Sequence, residues 1–389
     1  MIDIKSLQFL VLACLFLAGC HSKTGHNLGL TQSGENTTLS EKWQIGPFSK
    51  IDNSNPIVIP SSKGVFYCPL RHKNIRWEIK DVFNPAAISK GGKIFLIYRA
   101  QDSIGKPGGT SRLGIATSID GVHFIRNRQP IFFPANDTMK KYEWEGGCED
   151  PRIITDSSGS YLMTYTAYDG KIARLAIARS KDLLHWTKLG LAFGAAEKGK
   201  YCNTWSKSGS IVCKLVGGDF IAQKIHNKYW MYWGDDSLKV ANSIDLINWN
   251  PLKNEKGKYV IIAAPRKGRF DSRLCEPGPP AILTKREILL LYNGMNLDKS
   301  GDPNLAPGTY SGGQAFMDIN NPTRVLERLD APFIKPDKPY EMTGQVKRVC
   351  FIEGLVAVNK TWLLYYGTAD SKIAVAIADK DDVLEKTSF

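Results

Sequence analysis

Carboxylate, amide and cationic side chains recur in five short segments that are otherwise apolar or built of Pro and Gly. The segments are FNPAAI, CEDPRII, SKSGSIV, EPGPPAIL and IEGLVAV, which end at residues 88, 154, 212, 283 and 358. They carry Asn84, Asp150, Arg152, Lys207, Glu276 and Glu353. Strands needed only for packing would carry small, apolar side chains. Charged side chains at the same position of several repeated segments therefore indicate a polar cavity. Two carboxylates flanking a bond, without a metal or cofactor motif, are the groups that glycoside hydrolysis uses.

Each polar segment precedes an apolar run that ends in a tyrosine. These tyrosines are Tyr98, Tyr165, Tyr232, Tyr292 and Tyr365. A second apolar run follows each, and three units continue into SIDGVHF, SKDLLHW and SIDLINW. Four short strands recurring every ~60–75 residues predict an all-β fold, a five-bladed β-propeller over residues 46–389. In a propeller the innermost strand of each blade faces the central channel, so the polar segments would converge there. A β-sandwich with coincidental internal similarity is the alternative.

The N-terminus has the pattern of a targeting segment. Residues 6–19 are apolar and follow Lys5, a stretch that is too short for a membrane span and suits a signal-peptide core. Leu17 to Cys20 resemble the bacterial lipobox, which implies cleavage before Cys20 and its lipidation. We predict a signal peptide over residues 1–19, a tether over 20–45 and a catalytic domain over 46–389, anchored by lipid in a bacterial cell envelope. An ordinary signal peptide with an accidental cysteine is the alternative.

Charge and motif content exclude several classes of function. The chain carries 51 Lys and Arg against 38 Asp and Glu, a net charge of +13, yet no basic run tracks a phosphate backbone. We therefore predict no nucleic-acid partner. The absence of CxxC, HExxH, P-loop and GxGxxG patterns predicts no metal and no cofactor. The cysteines of the apolar patterns, Cys148, Cys275 and Cys350, are predicted to be buried thiols. Nothing in the sequence indicates an oligomeric state.

Seven motifs in order resemble those of glycoside hydrolase family 130. They are FNPAAI, YRAQD, SRLGIATSIDGVHF, GGCEDPRI, MTYTAYDG, EPGPPAI and YYGTAD, and they extend through nearly all of residues 46–389. The resemblance implies a five-bladed propeller that acts on β-mannosides with inversion, by hydrolysis or phosphorolysis. It implies that Asp150 is the proton donor, acting through a sugar hydroxyl. It further implies a mannosyl site made by Asn84, Arg99 and Asp370, with Ser111 and Arg112 close by.

Two acidic residues favour hydrolysis over phosphorolysis. Glu276 stands where phosphorylases of the family show a GxGPPP-like segment, and Asp235 stands where they carry a His-Arg pair. A carboxylate repels phosphate and can activate water as a base. We therefore predict an exo-acting, inverting β-mannosidase, with β-1,2-linked oligosaccharides as the expected substrate and either Glu276 or Asp235 as the base. The alternatives are a phosphorylase that releases mannose 1-phosphate and a non-catalytic glycan-binding propeller.

The remaining charged residues are assigned by strand alternation. Arg152 shares the face of Asp150 and would bind sugar or lower the pKa of Asp150. Glu149 falls on the opposite face, where pairing with an arginine is expected. Lys207 would contact the substrate or a carboxylate, and Glu353 would lie on an inner strand with a role in substrate binding.

Overall fold

The structure, a computed structural model, describes residues 44–105 and 108–380, and strands are its main regular secondary structure. The prediction of an all-β fold is confirmed. Among the described residues the two α-helices are single turns, α1 (Lys140–Glu143) and α2 (Pro339–Met342). Within the described ranges no helix has the length and apolarity needed to cross a membrane. The predicted signal peptide, the predicted lipidation site Cys20 and most of the predicted tether lie outside the described residues.

The strands form five successive antiparallel groups, preceded by β1 (Ser49–Lys50) and the hairpin β2 (Val65–Cys68) and β3 (Lys73–Arg76). The first group is β4 (Asp81–Lys90), β5 (Lys93–Gln101), β6 (Ser111–Ser118) and β7 (Ile125–Arg126). The second is β8 (Gly147–Thr155), β9 (Tyr161–Tyr168), β10 (Ala173–Ser180) and β11 (Trp186–Leu191). The third is β12 (Ser210–Val216), β13 (Asp219–Ala222), β14 (Tyr229–Trp233), β15 (Leu238–Ser243), β16 (Trp249–Pro251) and β17 (Ile261–Ala263).

The fourth group is β18 (Leu274–Pro277), β19 (Ala281–Leu283), β20 (Glu287–Met295), β21 (Tyr310–Asp318) and β22 (Val325–Arg328). The fifth is β23 (Cys350–Val358), β24 (Thr361–Thr368) and β25 (Lys372–Asp379). Here β1 supplies the outermost strand, because Ser49 pairs with Ile377 and Lys50 with Ala376. The beginning of the described chain therefore completes the sheet formed by its end.

Apolar runs and glycine turns explain why these segments form buried strands. The strands β5, β9, β20 and β24 are buried over most of their length on both faces, as expected of central strands covered on each side. Gly91 and Gly92 join β4 to β5, and their φ angles of +57° and +73° suit a two-residue hairpin turn. The five tyrosines of the repeat are fully buried, four of them on these central strands and Tyr232 on β14.

Three of the first strands carry a β-bulge at a residue singled out by its sequence. The register shifts between Phe83 and Pro85, between Glu149 and Arg152, and between Ile352 and Gly354. Asn84 and Asp150 adopt positive φ angles of 46° and 47° at the first two of these bulges. A bulge rotates the side chain out of strict alternation and re-aims it. The fold thus directs Asn84, Asp150 and Glu353 individually rather than by regular pleating.

Four buried carboxylates link neighbouring elements in the same way. Each accepts a hydrogen bond from a buried tyrosine and contacts a cation. The four sets are Glu78 with Tyr98 and Arg126, Glu143 with Tyr165 and Lys188, Asp271 with Tyr292 and Arg328, and Glu341 with Tyr366 and Lys50. Because a buried charge is costly unless it is paired, each set must form as a unit.

The buried thiols lie beside these sets. All six cysteines in the described residues are free, and Cys148, Cys275 and Cys350 are fully buried, as predicted. Burial raises the pKa of the Cys148 and Cys350 thiols well above the usual range. These cysteines are therefore structural and unreactive.

Candidate functional site

Asp150 is a fully buried carboxylate that is contacted by two donors of the first strand group and by a lysine of the segment before β12. Its Oδ1 accepts hydrogen bonds from Asn84 Nδ2 at 2.9 Å and from Arg99 Nη1 at 3.0 Å. Lys207 Nζ lies 3.3 Å from Oδ2. Burial raises the pKa of Asp150, but Arg99, Lys207 and the Asn84 hydrogen bond outweigh it and hold the pKa well below the usual range. Asp150 is therefore ionised in the free site.

Glu149 and Asp150 bind the same arginine, Arg99. The prediction that Glu149 faces away from Asp150 is therefore wrong. Arg99 Nη2 donates to Glu149 Oε1 at 2.6 Å, while the other arm of this guanidinium holds Asp150. Ser111 Oγ also donates to Glu149, at 3.1 Å, and accepts from Arg99 Nε at 3.0 Å. Strand alternation fails here because the bulge between Glu149 and Arg152 turns both carboxylates to one side. The expected pairing of Glu149 with an arginine is confirmed.

Lys207 links the Asp150 side of the site to Glu276. Burial alone would lower the pKa of Lys207, but the charges of Asp150, Glu276 and Glu149 raise it well above the usual range. The ammonium is thus permanently charged and shared among several carboxylates. Lys207 is a carboxylate partner, one of the two roles predicted for it.

Glu276 has a very different environment from Asp150. It is buried on β18 and accepts a hydrogen bond from Ser208 Oγ. Burial and, to a lesser extent, the charge of Asp235 raise the pKa of Glu276 to about 7, against the opposing effects of Lys207, Arg152 and Ser208. Glu276 can therefore exchange a proton near neutral pH, which is what a general base or acid requires.

Arg152 fastens the strand of Asp150 to the strand of Glu276. Its Nε donates to the Gly278 carbonyl and its Nη2 to the Pro277 carbonyl, both at 2.7 Å, and Nη1 reaches the Asp150 carbonyl at 3.3 Å. Arg152 is 2% exposed, so its guanidinium is occupied by the main chain. These contacts give Arg152 a positioning role, and its charge also lowers the pKa of Asp150, which is one of the two roles predicted for it.

Glu353 lies beneath this arginine, fully buried. The Arg152 Nη2 atom is 3.6 Å from Glu353 Oε2, and among the described residues no group donates a hydrogen bond to either carboxyl oxygen. Burial raises the pKa of Glu353 well above the usual range; Arg152 opposes this, and Asp150 and Glu276 add to it. A neutral Glu353 avoids adding another buried negative charge next to the ionised Asp150.

Asp370 lies with the other residues of the predicted mannosyl site, whereas Arg112 does not. Burial raises the pKa of Asp370 to about 6, with Arg99 opposing the rise and Asp150 adding to it, so its carboxyl group is within electrostatic range of both. Arg112 instead donates to Asp102 at 2.8 Å, and its guanidinium lies 5.7 Å from the Phe66 ring. Ser111 and Arg112 are neighbours on β6 and point to opposite faces, so only Ser111 reaches the site.

Asp235 is partly exposed and holds an aromatic ring. Trp205 Nε1 donates to Asp235 Oδ2 at 2.8 Å, and the Trp205 side chain is 48% exposed. The Gly234 amide donates to the Lys207 carbonyl at 2.9 Å, which places Asp235 next to Lys207. Asp235 therefore belongs to the site, at its more exposed side.

Trp205, Ser208 and Glu149 were missed as functional candidates. Each is within two residues of one that was identified, Lys207 or Asp150. Neighbours on an irregular segment do not alternate strictly, so adjacency to a predicted site residue was the available signal. In the described part of the chain, no group of three or more His, Cys, Asp or Glu residues is arranged to hold a metal ion.

Known proteins match most of the chain that carries this site. A family profile for glycoside hydrolase family 130, described as beta-1,4-mannooligosaccharide phosphorylase, matches residues 60–388. A 1,2-beta-oligomannan phosphorylase of Thermoanaerobacter sp. is 31% identical over 315 residues, which cover 79% of this chain and 93% of the relative.

Solved structures are more similar in sequence. A putative glycosidase of Bacteroides thetaiotaomicron is 49% identical with a TM-score of 0.83, covering 85% of this chain and 96% of that one. Another structure is 48% identical with a TM-score of 0.85, covering 87% and 95% of the two chains. Its description states that the family 130 of mannoside phosphorylases contains glycoside hydrolases that target beta-1,2 mannosidic linkages in Candida mannan. From the match over residues 60–388 and these similarities, the chain belongs to glycoside hydrolase family 130.

Proposed function

We propose that this protein is an inverting, exo-acting β-mannoside hydrolase whose general base is Glu276. The supporting observation is the buried pair of Asp150 and Glu276 on either side of Lys207, with pKa values displaced in opposite directions. Two carboxyl groups with distinct protonation are the equipment of inverting hydrolysis. Their burial suits a site that receives the end of a glycan rather than its middle.

The cationic side chains of the site are already bound to protein groups, which favours water over phosphate as the nucleophile. Arg99 is held by Glu149 and Asp150, Lys207 by Asp150, and Arg152 by main-chain carbonyls. A phosphate dianion needs several charge-assisted donors that are free to converge on it. A carboxylate at Glu276 would in addition repel the dianion. Each of these features is compatible with water that is activated by a base.

The proposed reaction requires one proton shared between two carboxyl groups. Glu276 takes a proton from water as the oxygen attacks the anomeric carbon, and the bond to the leaving oxygen breaks. Asp150 returns a proton to that oxygen through a hydroxyl of the bound sugar. In the free site the shared proton resides on Glu276, because its pKa lies above that of Asp150. The step therefore starts from the state of the substrate complex in which this proton has moved to Asp150, which leaves Glu276 ionised as the base and Asp150 protonated as the donor.

The relatives support β-1,2-linked mannosides as the substrate. The structure whose description names hydrolases of beta-1,2 mannosidic linkages is 48% identical. The two Thermoanaerobacter proteins named as phosphorylases of 1,2-beta-oligomannan and beta-1,2-mannobiose are 31% and 29% identical. Both types of relative name the β-1,2 linkage, and the more similar one is associated with hydrolysis.

Phosphorolysis is the rival function, favoured by the names of these two relatives. The test is incubation of the purified protein with β-1,2-mannobiose, with and without inorganic phosphate, followed by product analysis. We expect free mannose at the same rate in both. Mannose 1-phosphate formed only with phosphate would replace hydrolysis by phosphorolysis. Binding of mannobiose without any turnover would instead indicate a glycan-binding protein.

Two structural proposals accompany this function. We propose that the five strand groups are the blades of a five-bladed propeller, with β4, β8, β12, β18 and β23 innermost. We also propose that the protein is lipid-anchored through Cys20 in the bacterial cell envelope. Expression of the full chain and of a Cys20→Ser variant tests the anchor. The unchanged chain should incorporate a labelled fatty acid and sediment with membranes, and the variant should do neither.

A further inference from the structure

An exposed tryptophan stands next to the candidate catalytic groups. Among the large hydrophobic side chains that are exposed in the described residues, Trp205 is the only tryptophan, with 48% of its surface accessible. Single exposed hydrophobic residues need no special explanation, but this ring is held in place. Its indole nitrogen donates to Asp235 at 2.8 Å. The side chain is therefore fixed at one point and open elsewhere.

The main chain ties this ring to the buried site. Trp205 precedes Lys207 by two residues, and Lys207 contacts Asp150 at 3.3 Å. On the other side, Gly234 binds the Lys207 carbonyl at 2.9 Å and is followed directly by Asp235. Trp205 and Asp235 thus flank Lys207 from two segments. The exposure rises from 2% at Asp150 to 48% at Trp205, which orders the residues from the interior of the site outwards.

We propose that Trp205 is an aromatic platform for the sugar ring on the leaving-group side, and that Asp235 is the positioning residue that orients it. This proposal rests on the proposed β-mannoside activity. In an exo-acting site the terminal sugar occupies the buried groups, so the next sugar lies towards the exposed side. The flat apolar face of a pyranose packs on an indole, and a fixed indole loses little conformational freedom on binding.

The proposal separates the two candidate bases. The Asp235 carboxylate already accepts a hydrogen bond from the indole, and it is partly exposed. Glu276 is buried, contacts Ser208 and lies among the inner strands. Asp235 therefore governs the affinity for the second sugar, and Glu276 governs the chemical step.

Binding measurements with one-sugar and two-sugar ligands test the platform without requiring turnover. Methyl β-mannoside and β-1,2-mannobiose are titrated by calorimetry against Glu276→Gln, which blocks catalysis, alone and combined with Trp205→Ala or Trp205→Phe. We expect Trp205→Ala to weaken mannobiose binding roughly three- to tenfold and to leave methyl β-mannoside unaffected. Trp205→Phe should retain part of the difference. Ile125→Ala, which truncates another exposed side chain, is the matched control.

The Asp235 variants complete the test. In Asp235→Asn the side-chain amide still offers an oxygen to the indole nitrogen, so this variant should weaken mannobiose binding less than Asp235→Ala. Equal losses for both ligands with Trp205→Ala, or no loss for either, would overturn the platform. An Asp235→Asn protein with wild-type affinity for mannobiose and no turnover would make Asp235 the base and overturn its positioning role.

Failure of the Trp205 proposal and failure of the proposed hydrolase function give different results. KM and kcat measured on the corresponding variants with an intact Glu276 give the same comparison if the Glu276→Gln protein does not fold. A protein that binds neither mannoside would overturn both proposals. A protein that binds mannobiose through Trp205 and produces mannose 1-phosphate would contradict hydrolysis and support the platform.

Discussion

Asp150 and Glu276 are both buried carboxyl groups, and their partners set them apart. Asp150 faces two cations and an amide donor, whereas Glu276 receives one hydroxyl and has Asp235 in its vicinity. Paired cations stabilise the ionised form, and burial with nearby negative charge stabilises the neutral form. Residue type alone would give the two groups nearly equal pKa values; their partners make one of them ionised and the other a titrating group.

The pH dependence of catalysis follows from this difference. The reaction needs a single proton on the pair, and that state is populated from the low pKa of Asp150 up to about 7, the pKa of Glu276. We expect kcat/KM to be level below pH 7 and to fall about tenfold per pH unit above it. Initial rates on β-1,2-mannobiose across pH 5–9 measure this.

The sign of the pH effect is diagnostic. A kcat/KM that rises as pH increases through 7 would mean that the pair works with both protons removed, contrary to the proposed mechanism. Wild-type stability at each pH, followed by circular dichroism, separates a loss of catalysis from a loss of fold.

Among the strands, bulges and one arginine arrange the site. The bulge in β8 turns Glu149 and Asp150 towards Arg99, and Arg152 two residues later binds the carbonyls of Pro277 and Gly278. Because β18 carries Glu276 directly before Pro277, Arg152 sets the separation of the two carboxyl groups. Elements that are not neighbours in the chain are held in register by a single side chain.

Replacement of Arg152 should therefore affect catalysis more than binding. Lysine keeps the charge but has one nitrogen, so Arg152→Lys loses at least one of the two carbonyl contacts. A displacement of about 1 Å between reacting groups lowers the rate roughly 100-fold. We expect kcat to fall by about this factor with a much smaller change in KM. Steady-state kinetics on mannobiose provides both constants.

Arg112→Lys is the matched control for that variant. Arg112 is equally buried and paired with Asp102, but it lies away from the site. It should lose stability without a comparable loss of kcat. An Arg152→Lys protein with an increased KM and an undiminished kcat would assign the arginine to substrate binding, as the sequence first indicated.

Across the molecule, the two ends of the described chain are joined by buried polar contacts. Gln314 exchanges hydrogen bonds with the main chain of Ile45, at 3.1 and 2.8 Å. Lys50 Nζ lies 2.7 Å from Asp337 and 2.8 Å from Glu341, and Tyr366 donates to the same Glu341. These contacts span more than half of the sequence and hold the residues around β1 against β21 and α2.

Removal of Lys50 should destabilise the entire fold. Glu341 is fully buried, and in Lys50→Met its charge would lose this cation. Breaking one partner of a buried ion pair costs about 3–5 kcal/mol. We expect a decrease of this size in the free energy of unfolding, measured by denaturant titration.

Lys335→Met provides the comparison, since Lys335 is an exposed residue of the same segment. Its effect should stay within about 0.5 kcal/mol, as is usual for surface substitutions. If the two variants were equally stable, the contact between Lys50 and Glu341 would not hold the fold together.

The full sequence carries a net charge of +13, and in the described residues many of its lysines lie outside the site. Arg99, Lys207 and Arg152 are each engaged within it, while Lys73, Lys93, Lys140, Lys181 and Lys256 are exposed. These exposed lysines place part of the positive charge on the surface, away from the site. It provides no reason to expect a nucleic-acid partner.

The strands, their recurrence and most of the polar residues that converge could be predicted from the amino-acid sequence. Apolar runs ending in Tyr98, Tyr165 and Tyr292 encode central strands because burial on both faces leaves no room for polar side chains. An aromatic residue directly precedes each of the four buried carboxylates that bind a tyrosine, as in Trp77-Glu78 and Tyr142-Glu143. This is a further repeat in the sequence. Such local patterns report what each segment must bury.

The direction of individual side chains and the identity of their contacts required the folded structure. The bulges at Asn84 and Asp150 break the alternation from which Glu149 was placed on the wrong face. Arg152 binds carbonyls that are distant in the chain, and Trp205 binds Asp235, 30 residues away. Arg112 binds Asp102 across a local turn. Hydrogen bonds and pKa values depend on distances of a few ångströms, and periodicity in a sequence fixes a face of a strand but not those distances.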